Sequence, residues 1–286
     1  QFKKPKFWDL KKPHILTYLT FFFTFPIRIN NFFLNLKRSK KDQKIKTICL
    51  GNIYLGGTGK TPATIKLFEI LKSIGFNVST AKKFYKSHLD EINILKKKTD
   101  LILDNNREKI IELAKKQGKD VIIFDDGLQD LKVNYDIQFV CFDSENWIGN
   151  GQLIPAGPLR EKLSSLKKYD LVFLKNKNDN LENIIYQLKK NNPQIKIFNT
   201  NYKPKNIEKF NSTKKYLIFS GIGNPKSFKE ILSKNNIQII DEIIFPDHYY
   251  FKKNDIKKIK KRAKNLNAEI ITTEKDYLRI SDEERK

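Results

Sequence analysis

Residues 51–62 read "GNIYLGGTGKTP" and follow directly on the apolar "TICL" of residues 47–50. A strand that turns through glycines into a helix starting at Lys60 brings bare backbone N–H groups and a positive helix end to one place. That is a cradle for anions, suited to the phosphates of a nucleotide. Gly56, Gly57, Thr58, Gly59, Lys60 and Thr61 form the expected cradle, with Lys60 reaching the terminal phosphates and the Thr61 hydroxyl on Mg2+. The usual spacing, G-x-x-x-x-G-K-[ST], puts Gly at position 54, where this chain carries Tyr54. A bland glycine-rich turn is the competing reading, but the flanking strand and helix patterns favour a nucleotide loop.

Moving outward, "VIIFDDGLQD" (121–130) runs four apolar residues into Asp125-Asp126. In a parallel sheet, ligands bind at the carboxyl ends of the strands, so two carboxylates there suit Mg2+, directly or through water. "GNGQLIPAGPLREKL" (149–163) is rich in Gly and Pro and reads as a shaped loop. Its Arg160 is a candidate phosphate clamp, because guanidinium binds bidentately. A structural ion pair with the adjacent Glu161 is the alternative.

The pattern around these segments alternates. "IKTICL", "NVSTA", "DLILD", "DVIIFDD", "DIQFVCFD", "DLVFLK" and "QIKIFNT" read as strands. Between them, Leu67, Ile70, Leu71 and Ile74 fall at helical spacing, with Pro62 suited to the first turn and Gly75 to the stop. "REKIIELAKKQG" (107–118) repeats the pattern. Alternation with doubly apolar strands predicts an α/β fold, a mostly parallel P-loop NTPase-like sheet with helices on both faces. After the polar "KPKNIEKFNSTKK" (203–215), "YLIFS", "SFKEILSKNN", "IQIIDEIIF", "NDIKKIKKRAKNLN" and "AEIITT" predict a second, smaller α/β unit. The expected division is 1–40, 41–205 and 206–286. In the last of these, "FSGIGNPKSF" (219–228) again sets glycines between strand and helix. "FPDHYYF" (245–251) offers His248 as a general base at a strand end, and "TTEKD" (272–276) places Glu274, Lys275 and Asp276 toward an interdomain cleft.

Residues 1–40 differ from the rest. "ILTYLTFFFTFP" (15–26) is apolar and aromatic, lies between lysine-rich flanks, and meets Pro26, Arg28, Asn30 and Asn31 before it can span a bilayer. The favoured reading is a helix entering the membrane interface, with Trp8 and Tyr18 near the headgroups and lysines on anionic lipid. A helix packed on the protein's own core and a single span are the alternatives. No small-residue cleavage site follows, so a cleaved signal peptide is not expected. The chain begins at Gln1 without Met, so a preceding residue or segment is expected.

The formal charge of +24 over 286 residues invites a nucleic-acid reading, yet only seven of the 56 basic residues are arginine, and the lysines are spread along the chain. A solvated lysine surface, or one facing an anionic membrane or phosphorylated substrate, fits better. Cys49 and Cys141 lie in apolar runs and read as buried thiols.

In order, "GNIYLGGTGKTP", "DDGLQ", "GQLIPAGPLRE", "SGIGNPKSF", "FPDH" and "TTEKD" resemble the tetraacyldisaccharide 4′-kinase family of lipid A synthesis, from about residue 46 to the C-terminus. The basic, aromatic N-terminus is similar in character to that family's membrane-embedded leading helix. The resemblance implies ATP- and Mg2+-dependent phosphorylation of the 4′-hydroxyl of an acylated glucosamine disaccharide 1-phosphate at the cytoplasmic face of the bacterial inner membrane. It implies Lys60 and Thr61 as the loop pair, Asp125 and Asp126 as metal-side acids, and Gln129, Arg160 and Glu161 as further active-site positions. His248 matches the histidine of a catalytic Asp–His pair. The family's aspartate lies in Gly-Asp-Glu-Pro; the match here is Leu89-Asp90-Glu91-Ile92, which makes Asp90 the partner and Glu91 its understudy. The family's Arg-Gly-Tyr-Gly segment is replaced by "AKKFYKSH" (81–88), so a substrate-side loop is expected to be shortened.

Two rival classes remain at this point. A GTPase or ATPase switch would use an Asn-Lys-x-Asp reader, and "KNKNDN" (175–180) contains Asn-Lys-Asn-Asp. A nucleic-acid-binding ATPase would interleave aromatic and basic residues on a sheet face, whereas the aromatics here concentrate in 7–33. No nucleic-acid partner is expected, the partners being a lipid disaccharide and an anionic membrane surface, and a monomer is favoured.

Overall fold

The computed structural model describes residues 5–10, 14–36, 45–85, 88–130, 132–176, 181–204 and 206–285. By contacts the chain groups into two units, one of Lys4–Tyr85 with Leu95–Asn201, the other of Lys86–Ile94 with Tyr202–Lys286. This contact grouping does not follow the expected division into 1–40, 41–205 and 206–286 segment by segment. The N-terminal segment packs with the P-loop unit, and Lys86–Ile94 belongs with the C-terminal residues.

The P-loop unit is built on seven strands: β1 (Lys46–Gly51), β2 (Val78–Lys83), β3 (Leu101–Asp104), β4 (Val121–Asp125), β5 (Ile137–Asp143), β6 (Leu171–Lys175) and β7 (Lys196–Thr200). They lie in the order β3-β2-β4-β1-β5-β6-β7, and every pairing is parallel. Side chains alternate between two apolar layers. Cys49, Ile122 and Phe124 pack into one; Ile48, Leu50 and Ile123 pack into the other. Both layers are covered by helices, so central strands such as β4 are buried throughout while the edge strand β7 is not. The register Leu50↔Asp125 and Ala81↔Phe124 lines up the carboxyl ends of β1, β4 and β2. Cys49 and Cys141 are buried free thiols, and burial pushes Cys141 up to about 12.

Helix α1 (Ile15–Phe21) and helix α2 (Phe25–Leu36) are separated by a 3-10 turn, and no helix among the described residues is long and apolar enough to cross a membrane. Tyr18, Leu19, Phe22, Phe23 and Phe25 are all more than 60% exposed. The expectation for Trp8 is overturned: it is 2% exposed, donates its indole N–H to Pro155 O at 2.9 Å, and so sits in the P-loop unit's core rather than among headgroups. The remaining helices of this unit include α3 (Lys60–Ser73), α5 (Arg107–Lys116) and α6 (Glu182–Asn191), with α4 (Leu89–Lys98) begun in one unit and finished in the other. In α5, Asn106 caps the first turn and Ile110, Ile111 and Ala114 face the sheet.

The second unit has three parallel strands, β8 (Lys215–Ser220), β9 (Gln238–Ile244) and β10 (Glu269–Thr272), in the order β10-β8-β9. Helices α7 (Pro225–Lys234), α8 (Lys253–Asn265), α9 (Glu274–Tyr277) and α10 (Asp282–Arg285) complete it. Asn224 caps α7 and Pro225 occupies its first turn.

Candidate active site

The loop after β1 is held from below by its own polar groups. Asn52, fully buried, donates through Nδ2 to the carbonyls of Tyr54 (2.6 Å) and Gly56 (3.2 Å). Gly59 adopts φ 84°, ψ 18°, a left-handed conformation that a Cβ would strain, and its carbonyl accepts the first helical bond of α3, from Ala63. That geometry starts α3 at Lys60, with the loop's N–H groups and the helix N-terminus at one point. Gly57 is exposed, while Thr58 is buried with no hydrogen-bond partner for its Oγ1 among the described residues.

Tyr54 accounts for the missing glycine. Its ring is 2% exposed, packs with Leu153 and Leu159, and donates through its hydroxyl to Asp9 (3.0 Å). The neighbouring backbone pairs with the 149–163 loop, through Leu55 N–H to Pro158 O (2.8 Å) and Arg160 N–H to Ile53 O (2.7 Å). A side chain at 54 thus pins the phosphate loop to the Pro-rich loop that carries Arg160.

The two acids at the end of β4 differ. Asp125 is fully buried; its Oδ2 accepts from the Thr61 hydroxyl (2.9 Å) and from Lys82 Nζ (2.7 Å), while Oδ1 has no partner among the described residues. Asp126, at φ 71°, turns its carboxylate toward Lys60 Nζ (3.8 Å) and Arg160 (3.5 Å). A hydroxyl, an unpartnered carboxylate oxygen and a second carboxylate form an all-oxygen donor set that fits a hard cation such as Mg2+.

Arg160 and Glu161 do not pair with each other. Arg160 reaches Gln129 Oε1 (3.3 Å) as well as Asp126. Glu161 is buried and accepts from Gln129 Nε2 (2.9 Å), Tyr169 (2.7 Å) and Lys168 (3.2 Å). Gln129 also donates to Asn52 O (3.1 Å), so Gln129 ties both loops together.

The C-terminal unit holds a second cluster. His248, at φ 58°, donates its backbone N–H to Gly221 O (3.1 Å). Its Nδ1 lies 3.2 Å from Asp90, which sits in the first turn of α4 with its side chain 4% exposed. Burial alone would raise the Asp90 carboxyl, but the hydrogen bond from His248 and the charges of Lys275 and Arg279 hold it well below the usual range. Asp90 rather than Glu91 is brought to His248. Glu91 pairs with Lys275 (3.4 Å) and approaches His88 (4.0 Å), whose ring stacks on that of His248 at 5.4 Å. Asp276 is buried, which raises its carboxyl despite a bond from Thr273 and the charge of Arg279.

Three residues escaped the sequence reading. Lys82, on β2, is the buried counter-ion of Asp125. Arg107 braces the turn after β4, donating to Asp126 O (2.7 Å) and Asp130 (2.5 Å). Arg279 binds Asp90. With only seven arginines in the chain, Arg107 and Arg279 could have been singled out as Arg160 was; nothing in the sequence marks Lys82 among so many lysines. The Asn-Lys-Asn-Asp of the rival switch reading lies, beyond Asn176, outside the described residues, as do positions 86 and 87 of the expected shortened loop.

A family model described as tetraacyldisaccharide-1-P 4'-kinase matches residues 13–101 and 86–286. A tetraacyldisaccharide 4'-kinase from Pelagibacter ubique is 46% identical over 98% of this chain and 89% of its own length. The chain belongs to the tetraacyldisaccharide-1-P 4'-kinase family. A second member, from Rickettsia conorii, is 35% identical over 97% of this chain and 89% of its own. The fold also matches LpxK of Aquifex aeolicus, solved in complex with ATP, with a TM-score of 0.67 and 22% identity over 94% of this chain and 91% of that one. Membership and the all-parallel sheet agree with the fold and family that the ordered motifs imply, and the switch and nucleic-acid readings are not favoured.

Proposed function

We propose that this chain, as a tetraacyldisaccharide 4′-kinase, transfers the γ-phosphoryl group of ATP to the 4′-hydroxyl of an acylated glucosamine disaccharide 1-phosphate. The observation that carries the reading is the phosphate loop itself, Gly59-capped and ending in Lys60-Thr61 with Thr61 on Asp125, in a chain 46% identical to a tetraacyldisaccharide 4'-kinase.

Phosphoryl transfer needs little covalent chemistry from the protein; positioning and charge neutralisation dominate. Loop N–H groups and Lys60 hold the phosphates, and Arg160 adds a guanidinium beside them. Magnesium would be held by Thr61, Asp125 and Asp126 and would neutralise charge on the β- and γ-phosphates. His248 is the general base: its Nε2 takes the proton of the 4′-hydroxyl as that oxygen bonds to phosphorus and the bond to the ADP oxygen breaks. Asp90 holds the imidazole in place through Nδ1. The exposed aromatics of α1 and the turn after it, with lysines near them in sequence, suit an interfacial anchor on an anionic membrane, and this reading places the enzyme at the cytoplasmic face of the inner membrane.

The test is purified protein with ATP and tetraacyldisaccharide 1-phosphate in detergent, following appearance of a second phosphomonoester on the lipid. ATP turnover that ignores the lipid, or that requires RNA or DNA instead, would overturn the assignment.

A further inference from the structure

Four segments of the C-terminal unit that are far apart in sequence meet at one side chain. Arg279, whose side chain is 2% exposed, donates through Nε (3.1 Å) and NH2 to Asp90 Oδ2, and through NH1 to Asp276 Oδ1 (2.8 Å) and to the Gly221 carbonyl. The same Gly221 carbonyl receives the backbone N–H of His248. One planar guanidinium therefore fixes the Asp90 carboxylate and the carbonyl that seats His248, with Asp276 as its own anchor. A lysine ammonium has no such fork and could not set these directions together.

The consequence concerns the protons on His248. Nδ1 faces the Asp90 carboxylate, which Arg279 and Lys275 keep charged and therefore acceptor-only, so Nδ1 is the donor. The Arg279 NH2 group carries two hydrogens: it donates to Asp90 Oδ2 and also approaches Nδ1 at 3.4 Å, a longer contact than the 3.2 Å between Nδ1 and Asp90. Nε2 faces the Lys275 ammonium at 3.5 Å, a group with donors only. Asp247, at 3.9 Å from Nε2, is beyond hydrogen-bond reach. Glu91 is turned to Lys275, and His88 meets the ring by its face. The Asp90 carboxylate at Nδ1 and the Lys275 ammonium at Nε2 thus favour the tautomer with hydrogen on Nδ1 and the electron pair on Nε2.

We propose that Arg279 is the positioning residue that selects this tautomer, presenting Nε2 unprotonated to the acceptor hydroxyl. The proposal rests on the kinase reading for its purpose but not for its test. In the step it serves, the hydroxyl O–H breaks toward Nε2, the new O–P bond forms, and ADP leaves with the electron pair of the broken P–O bond. Arg279 acts only through Asp90 and His248 and touches no reacting atom.

The chain contains three histidines, so 15N-histidine labelling of the whole protein gives three ring systems, assignable with His14→Gln and His88→Gln. At a pH where the rings are neutral, the wild-type His248 should show hydrogen on Nδ1. Arg279→Met should give a mixture of tautomers, and kcat should fall about 10²-fold, the scale of a misplaced general base, with KM for ATP within about threefold. Arg279→Lys, which keeps charge without the fork, should recover only part of both. A His248 that stays wholly on the Nδ1–H tautomer in Arg279→Met overturns the proposal whatever the activity, and so does an unchanged kcat. If Arg279→Met does not fold, Arg279→Lys decides by the same two readouts. Should the wild-type protein lack lipid phosphorylation, the kinase reading fails, while the tautomer comparison still tests Arg279 because it needs no turnover.

Discussion

Replacing Lys82 by methionine should cost the P-loop unit about 3–5 kcal/mol of stability, the range for stranding one member of a buried ion pair. The structure puts the case toward the upper end. Lys82 Nζ is 2.7 Å from Asp125 Oδ2, and the two side chains are 3% and 0% exposed. With the lysine gone, Asp125 keeps one neutral hydrogen bond, from Thr61, and its other oxygen has none among the described residues. Methionine preserves the length and apolar stem of lysine, so the loss reports charge rather than a cavity. Both tryptophans, Trp8 and Trp147, belong to this unit, so urea unfolding followed by tryptophan fluorescence reads it selectively. The midpoint should drop with an unchanged m-value. The double variant Lys82→Met, Asp125→Asn removes both charges and should regain most of the loss, giving strong non-additivity. A single-variant loss under about 1 kcal/mol, the scale of an exposed pair, would refute the reasoning. Strict additivity would refute it as well.

Lys60→Ala should lower turnover by at least ~10²-fold, comparable to losing one transition-state donor, while nucleotide still binds; near-normal turnover would remove the phosphate loop from catalysis. Asp90→Ala and His248→Ala should each cost on the order of 10²–10⁴ in kcat, and their combination little more than the worse of the two, because a pair that works as a unit is lost once; full additivity would separate them. Phe22→Ser with Phe23→Ser should release the protein from anionic vesicles without affecting nucleotide binding, since both side chains are exposed, at 82% and 68%; retention on the vesicles at unchanged affinity would argue against an aromatic anchor. Because the folded state holds the Asp90 carboxyl below its unfolded value, its contribution to stability is complete above about pH 4 and is lost as pH falls below that. Asp90→Asn should therefore flatten the acid limb of the C-terminal unit's stability profile, and an unchanged limb in acid titration would count against the pairing.

What could be read from the chain alone was whatever short-range chemistry dictates. Gly59 before Lys60-Thr61 demands a left-handed turn and a helix start within four residues, so the phosphate loop is visible without any partner. The run from Val121 to Asp126 announces a buried strand that delivers acids to its end, and alternation of such runs with helical spacing is enough for a doubly covered parallel sheet. The order of the motifs was enough for the family, and Asp90 for the partner of His248 even without its flanking Gly and Pro. Tertiary structure decided the rest, because it depends on which distant side chain fills a given space. Asp90 and Arg279 lie 189 residues apart, and no local pattern distinguishes that arginine from one exposed on a helix. Tyr54 looks like a defect in the loop until its ring is seen against Leu153 and Leu159. Trp8 has the composition of an interfacial anchor, but its indole N–H is taken by the Pro155 carbonyl and its ring is buried in the P-loop unit. Lys82 is one lysine among many in the sequence, and only the register of β2 beside β4 makes it the cation of a carboxylate that water cannot reach.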